Sequence, residues 1–472
     1  MAAAQYLSVH CHYYQPPRGN PISGAPLIEP DAAPYSNWND RITAECYKPN
    51  ADMGNFGGIS FNFGDTLASW LAEHAPETYK KIIEADTVNF ENYSVGNAIA
   101  QPLHHTILPL SNRSDKDTQV KWGRSAFEHR FGHQTDGLWM PEMAVDTETL
   151  EVMLDNGVRW TILSESQVID KPAGGGPYWL RLPDNRRIAV FVRDDQLSND
   201  MAFNLGRFGG AGRWAREVLV PRRRDAGTLT LIASDGETFG HHWPGEEQFL
   251  RWLLGYEARS AGYEVTNLSR FLRETEPKEE IEFRENSAWS CLHGLSRWST
   301  GCGCTIGLSY WKGAVRRAMD NLRFELDGVF DDYVKKNAVT NSTSLRNAYF
   351  EVMLGKVERA KFLAGQDLSI SDKHADSLLL LTEAQYYRQC MYASCTWFFA
   401  DLDTHTARYG ITNAAYAALL TKEATGVDLT SGFRRDLSIA LGQDGQSGQP
   451  LNGGQIFDQI WDELQEDRMR NR

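Results

Sequence analysis

The chain lacks an apolar run long enough to span a bilayer, so nothing in it reads as a membrane helix. Its start lacks the basic-then-apolar pattern of a secretory leader; Met1-Ala-Ala-Ala-Gln-Tyr leads straight into a strand-like run, and a cytoplasmic protein is expected. Positive charge is in deficit. The 48 Lys and Arg stand against 62 Asp and Glu, a formal net charge of −14, which argues against nucleic-acid and membrane partners and leaves a neutral polymer acceptable. Oligomeric state is not legible. Cysteine is sparse and odd in number, seven in 472 residues, so reduced thiols are expected rather than a disulfide framework. Cys302-Gly-Cys304 lacks CxxC spacing and a matching second pair, and is set aside as a ligand pair: no metal and no cofactor is expected. Repeats and long low-complexity segments are missing too. What the chain has in excess is tryptophan, 14 residues, and an indole face is a flat apolar surface of the kind sugars stack on.

From residue 6 to about 280, short apolar runs (6–9, 88–90, 137–139, 160–163, 188–192 and 229–233) alternate with amphipathic stretches (66–74, 120–131, 147–156 and 246–261). That alternation predicts an α/β fold with a parallel sheet and covering helices. Site-like residues follow candidate strands all along the region, whereas an open sheet gathers ligands at one switch point, so a barrel is the better reading. A charged, proline-containing segment near 274–282 marks a boundary. Beyond residue 310 the spacing is helical over 311–334, 344–362, 372–399, 413–423 and, after a polar, glycine-rich stretch, 456–468. The expected organisation is a catalytic barrel over 1–280, a helical domain over 281–442, and a polar tail with a short helix over 443–472.

The most informative stretch runs from Thr228 to Trp243. A β-branched run stops at Asp235, and Gly236, Glu237, His241 and His242 follow. In an α/β barrel, residues just past the carboxyl end of a strand line the active site, so Asp235 stands where a catalytic carboxylate would. Three other segments have the same character. One is His10-Cys-His12-Tyr-Tyr-Gln15-Pro16, in which the two histidines share a strand face. Another runs from Gly96 through His104 and His105 to Pro109. The last is Trp139-Met-Pro-Glu142, with a helix starting at about Asp146. Two carboxylates at separate strand ends, in unlike surroundings, suit glycosidic bond cleavage, which needs one ionised and one protonated acid.

These four ordered elements resemble glycoside hydrolase family 57. His10-Cys-His12 with Gln15-Pro16 is similar to its first element, with Tyr13 and Tyr14 intervening. Trp139-Met-Pro-Glu142 is similar to its nucleophile element, and Asp235-Gly-Glu237-Thr-Phe-Gly240-His241 to its acid/base element. Segments around Trp289–Trp298 and Met391–Phe399 resemble a subgroup with a helical C-terminal extension. The resemblance implies a (β/α)7-type distorted TIM-like barrel followed by an α-helical C-terminal domain that closes over the cleft. It implies a retaining glycoside hydrolase or transglycosylase on α-1,4-linked glucans such as amylose or maltodextrins, without a metal. It makes Glu142 the nucleophile and Asp235 the general acid/base. Substrate contacts would come from His10, His12, one of His104 and His105, Trp139, Arg193, Glu237, His241, Trp289, Trp298 and Trp397.

Two rival readings differ in class. A metal-dependent deacetylase or α-mannosidase-like hydrolase would use His10, His12, Asp235 and His241 as mixed N/O ligands. A catalytically silent glycan-binding protein would bind an oligosaccharide and turn nothing over.

Overall fold

The apolar runs of the first part form parallel strands because Val, Ile, Leu and Phe fill both faces, as a strand covered on both sides requires. The computed structural model describes residues 5–304, 309–338, 340–366, 368–444 and 450–470, which divide into two compact units. The first comprises the chain up to Arg18, Leu27–Leu103 and Gly123–Ser290; the second comprises Gly19–Pro26, His104–Trp122 and the chain from Cys291 onward.

In the first unit, β1 (Gln5–Tyr13) lies between β2 (Ser60–Phe63) and β7 (Leu229–Asp235), parallel to both. The order β3–β2–β1–β7 is continued at one edge from β3 (Ala98–Ile99) by residues 137–139. These bridge in parallel to Ala100 on one side and to Trp160, the first residue of β4 (Trp160–Ser164), on the other. Next comes β6 (Arg187–Arg193), parallel to β4, with β5 (Tyr178–Arg181) antiparallel on its far side. The Asp194 amide, just past β6, donates to the Leu231 carbonyl of β7 at 2.8 Å and joins the last strand to the first sheet. Seven parallel positions thus go round the unit. The two-residue β3, the singly bridged 137–139 segment and the thin β6–β7 seam are where this TIM-like barrel is distorted. A short β8 (Tyr263–Val265) pairs with the start of β1. Inward residues of several strands, among them Ile99, Trp160, Ile162, Phe191, Leu229 and Leu231, form one buried cluster.

One expected strand is a helix. Residues 88–90 belong to the helix Pro76–Tyr93, where Val88 and Phe90 are largely exposed and the buried face is carried by Thr78, Ile82, Asp86 and Asn89. A three-residue apolar run cannot separate the two periods; Pro76 in the first turn and the four-residue spacing of that buried face decide for helix. The helix Thr147–Asp155 starts as expected, with the Asp146 carboxylate accepting from the Thr149 amide at 2.8 Å. The charged segment near residue 280 is tied to β5: Arg181 pairs with Glu280, and Trp179 bridges to Glu280.

The second unit is helical. Its long helices are Trp311–Asn337, Asp372–Cys390, His405–Thr425 and Gly453–Arg470. His405–Thr425 is buried nearly all round, as its run of alanines and aromatics demands. The expected helix over 344–362 resolves into Ser342–Ala348 and Phe350–Met353, and the one expected over 372–399 ends at Cys390, after which Ala393 bridges to Thr106. At the centre, Arg388 is buried and pairs with Asp115 and Asp327, and Arg346 also reaches Asp115 at 3.4 Å. Burial alone would raise the Asp115 pKa; the two guanidiniums outweigh it and hold the carboxyl below its ordinary value.

Candidate active site

Strand register assembles the site. His12 of β1 sits level with Asn62 of β2 on one side and Asp235 of β7 on the other, and His10 lies one step down, level with Ser60 and Ala233. All of these lie toward the carboxyl ends of their strands. The Asn62 amide nitrogen donates to His12 Nδ1 at 2.8 Å, so that ring carries its proton on Nε2. The Asn62 carbonyl accepts from His10 Nε2 at 3.1 Å, which leaves His10 Nδ1 to accept from the Ser60 hydroxyl at 3.1 Å. Burial lowers the His10 pKa to about 3 and the His12 pKa to about 4, so both rings are neutral. They stack on one face of Trp139, with ring centroids 5.1 and 4.9 Å away.

Glu142 follows the 137–139 segment at a sharp corner. Its backbone is left-handed (φ 59°), as is that of Met143 (φ 49°), and each such non-glycine residue costs of the order of 1–3 kcal/mol. The strain is held by a second segment. The Trp289 amide donates to the Glu142 carbonyl at 3.0 Å, Trp289 Nε1 donates to Oε2 at 3.0 Å, and the Ser290 hydroxyl donates to the same oxygen at 2.6 Å. Arg193, at the end of β6, lies over the Trp289 ring at 4.8 Å, donates from Nε to Asp195 at 2.8 Å and from Nη1 to the Ala233 carbonyl at 2.9 Å.

Asp235 ends β7. The residue is exposed to solvent, and the surrounding protein still desolvates its carboxyl. That desolvation, with Glu237 and Glu142 nearby and Arg193 opposing, pushes its pKa up to about 8. Gly236 is required here, because a Cβ would stand 2.0 Å from the Tyr13 ring. Glu237 is buried and accepts from Tyr47 at 2.6 Å and from Gln15 at 3.2 Å; burial, partly offset by the Tyr47 bond, raises its pKa to about 7.

The first unit thus brings together His10, His12, Trp139, Glu142, Arg193, Asp235, Glu237 and Trp289. His241 instead has Nδ1 2.6 Å from Glu45 and its ring edge-on to Trp38. The donor set of the metal-hydrolase reading does not converge, since His10 and His12 are turned onto Asn62 and His241 onto Glu45. His104, His105, Trp298 and Trp397 belong to the second unit. There His104 Nδ1 accepts from Gln119 at 3.0 Å and its Nε2 lies 3.2 Å from the Cys390 sulfur, while His105 Nδ1 is 2.6 Å from the Ser394 hydroxyl. Trp139, Trp298 and Trp397, expected as sugar-contacting faces, are 0, 0 and 1% exposed. Packing closes their faces, and Trp139 serves as the floor beneath the two histidines. Ser60, Asn62, Tyr47 and Ser290 also belong to the site, outside the four sequence motifs. Ser60-Phe-Asn62-Phe alternates like a strand and carried a usable signal, whereas Tyr47 sits on a helical turn with no such pattern.

Comparison with known proteins agrees with this architecture. The profile of glycosyl hydrolase family 57 matches residues 34–284, more than half of the chain, and that of a domain of unknown function (DUF3536) matches 309–467. A Methanocaldococcus jannaschii protein provisionally named an alpha-amylase is 24% identical over 370 residues, 74% of this chain and 76% of that one. Among solved structures, an exo-type maltose-forming amylase from Pyrococcus sp. ST04 superimposes with a TM-score of 0.73 at 16% identity, covering 97% of this chain and 88% of that one. A branching enzyme of the same family from Pyrococcus horikoshii superimposes with a TM-score of 0.59 at 14% identity, covering 97% and 94%. The chain belongs to glycosyl hydrolase family 57.

Proposed function

We propose that this chain is a retaining glycoside hydrolase or transglycosylase acting on α-1,4-linked glucans, with Glu142 as nucleophile and Asp235 as general acid/base. The observation that carries the reading is the contrast between the two carboxyls. Asp235 is held protonated at neutral pH by desolvation and neighbouring acids, while Glu142 is fixed by two donors on one oxygen, which favours and orients a carboxylate. Names of relatives (an alpha-amylase, a maltose-forming amylase, a branching enzyme) support the α-glucan class.

In the first step Glu142 attacks the anomeric carbon while Asp235 gives its proton to the departing oxygen, leaving a glycosyl ester on Glu142. In the second, the Asp235 carboxylate takes a proton from water or a sugar hydroxyl, whose oxygen displaces Glu142 and restores the original anomeric configuration. His12 carries its proton on Nε2 and is a neutral donor at this level of the site. Arg193 packs on Trp289 and so steadies the indole that holds Glu142. No described helix is long and apolar enough to cross a membrane. The seven described cysteines are free of disulfides, which fits a reducing compartment such as the cytoplasm.

Product chromatography on amylose and maltoheptaose tests the reading, with Glu142→Gln in parallel. Shortened or redistributed chains that vanish in the variant are expected. Equal turnover by the native protein and the variant would remove Glu142 from the chemistry, and binding without turnover would favour the silent glycan-binding protein.

A further inference from the structure

Cys302-Gly-Cys304 has no CxxC spacing and no matching second pair in the sequence, but the fold of the second unit supplies one. Cys291 and His293 come to the same place, and one ligand atom from each of Cys291, His293, Cys302 and Cys304 lies within 4.8 Å of all the others. The sulfurs of Cys291 and Cys302 are 3.7 Å apart, those of Cys304 and Cys291 3.9 Å, and His293 Nδ1 is 3.3 Å from the Cys304 sulfur. Zn–S bonds of about 2.3 Å and Zn–N bonds near 2.0 Å at tetrahedral angles require edges of about 3.8 Å between sulfurs and about 3.5 Å between sulfur and nitrogen. The two sulfur–sulfur edges from Cys291 match that length, the His293–Cys304 edge is slightly shorter, the remaining edges are no longer than 4.8 Å, and 3.7 Å is far beyond a disulfide bond length of about 2.05 Å.

We propose that these four residues form a structural zinc site of Cys3His type. The spacing, Cys-x-His followed after eight residues by Cys-x-Cys, closes one loop on a single ion and leaves no coordination position for substrate, the mark of a structural site. The surroundings suit thiolates. Main-chain N–H groups of His293 and Arg297 are directed at the Cys291 sulfur and that of Leu292 at the Cys304 sulfur, as expected around metal-bound thiolates. Three thiolates and one Zn2+ leave a net charge of −1, and a buried cation, Lys312, lies close enough to interact with it. The chain is bent to fit: Gly301 has φ +85°, and a Cβ there would stand 2.3 Å from the Ser309 carbonyl oxygen. Binding releases one proton from each thiol, so affinity rises with pH.

The test uses the full-length protein purified under reducing conditions without chelator. Elemental analysis is expected to give close to one zinc per chain, and Cys302→Ser/Cys304→Ser to lower it at least tenfold. If that variant does not fold, the native protein decides alone. Zinc removed with a chelator and replaced by Co2+ is expected to give thiolate-to-cobalt charge-transfer bands and the intense visible bands of a tetrahedral ion, with a lower Tm in the metal-free form. Zinc unaffected by the double substitution, absence of both zinc and cobalt bands, or a Cys291–Cys302 disulfide found by mass spectrometry would each overturn the proposal.

Discussion

Replacing Glu237 by glutamine tests how the fold keeps Asp235 protonated. After burial, the Glu237 charge does most to raise the Asp235 pKa, and Glu142 comes next. Glutamine preserves size and a carbonyl able to accept from Tyr47, so the change is chiefly one of charge. Asp235 closes β7 and Glu237 lies in the short helical turn that follows it; two charges about 7 Å apart interact by roughly 2 kcal/mol at an effective dielectric constant of 20, about one and a half pKa units. Solvent reaches Asp235, so screening reduces this to about one unit. A general acid must be protonated to act, and activity is therefore lost as pH rises through its pKa. For the native protein the alkaline limb of kcat/KM on maltoheptaose is expected at about 8. In Glu237→Gln it moves toward acid by about one unit, to roughly 7, while the fold, followed by circular dichroism, is unchanged. A limb that stays in place, or moves toward alkali, would refute the assignment of Glu237 as the charge that tunes Asp235.

Three further outcomes are expected. Trp289→Phe keeps a ring under Arg193 but removes the Nε1 donor to Glu142; kcat should fall roughly 10- to 100-fold with a smaller change in KM, and an unchanged kcat would count against the role of that bond. Arg388→Met removes the partner that buried Asp115 shares with half-buried Asp327 and should cost about 3–5 kcal/mol in denaturant unfolding, whereas a loss under 1 kcal/mol would contradict the pairing as a keystone of the second unit. Burial lowers the pKa values of His10, His12 and His104 to about 3, 4 and 3, so between these values and 6.5 the unfolded chain binds more protons than the folded one. Tm should therefore fall as pH drops below about 6.5, and a Tm that is flat from neutral pH to pH 5 would show that the rings charge in place.

The skeleton of the candidate site was legible because parallel strands advertise themselves. An apolar run that ends in His10 and His12, or in Asp235, states both the element and the end of it where side chains converge. Glu142 was legible from its Trp-Met-Pro context, but its left-handed backbone was not, because nothing local demands it: the corner is held from Trp289 and Ser290, some 147 residues away. Partners that act across strand pairing, such as Asn62, carry no motif of their own. Indoles were over-read for the opposite reason. The same bulk that suits a sugar also suits a core, and Trp298 and Trp397 fill the helical unit. Residues 88–90 failed for length, being too short for either period to register. The Cys291–Cys304 quartet was invisible in parts, since each half has the wrong spacing alone and only the fold of the loop joins them.

The most direct test of the central claim is to trap the intermediate. The native protein is incubated with a 5-fluoro-α-glucosyl fluoride, which forms a glycosyl-enzyme faster than it releases it, and the digest is mapped by mass spectrometry. A single glucosyl adduct on the peptide containing Glu142, lost in Glu142→Gln, is the predicted result. An adduct on another carboxylate would contradict the assignment of the nucleophile, and turnover that inverts the anomeric configuration without any adduct would contradict the retaining mechanism itself.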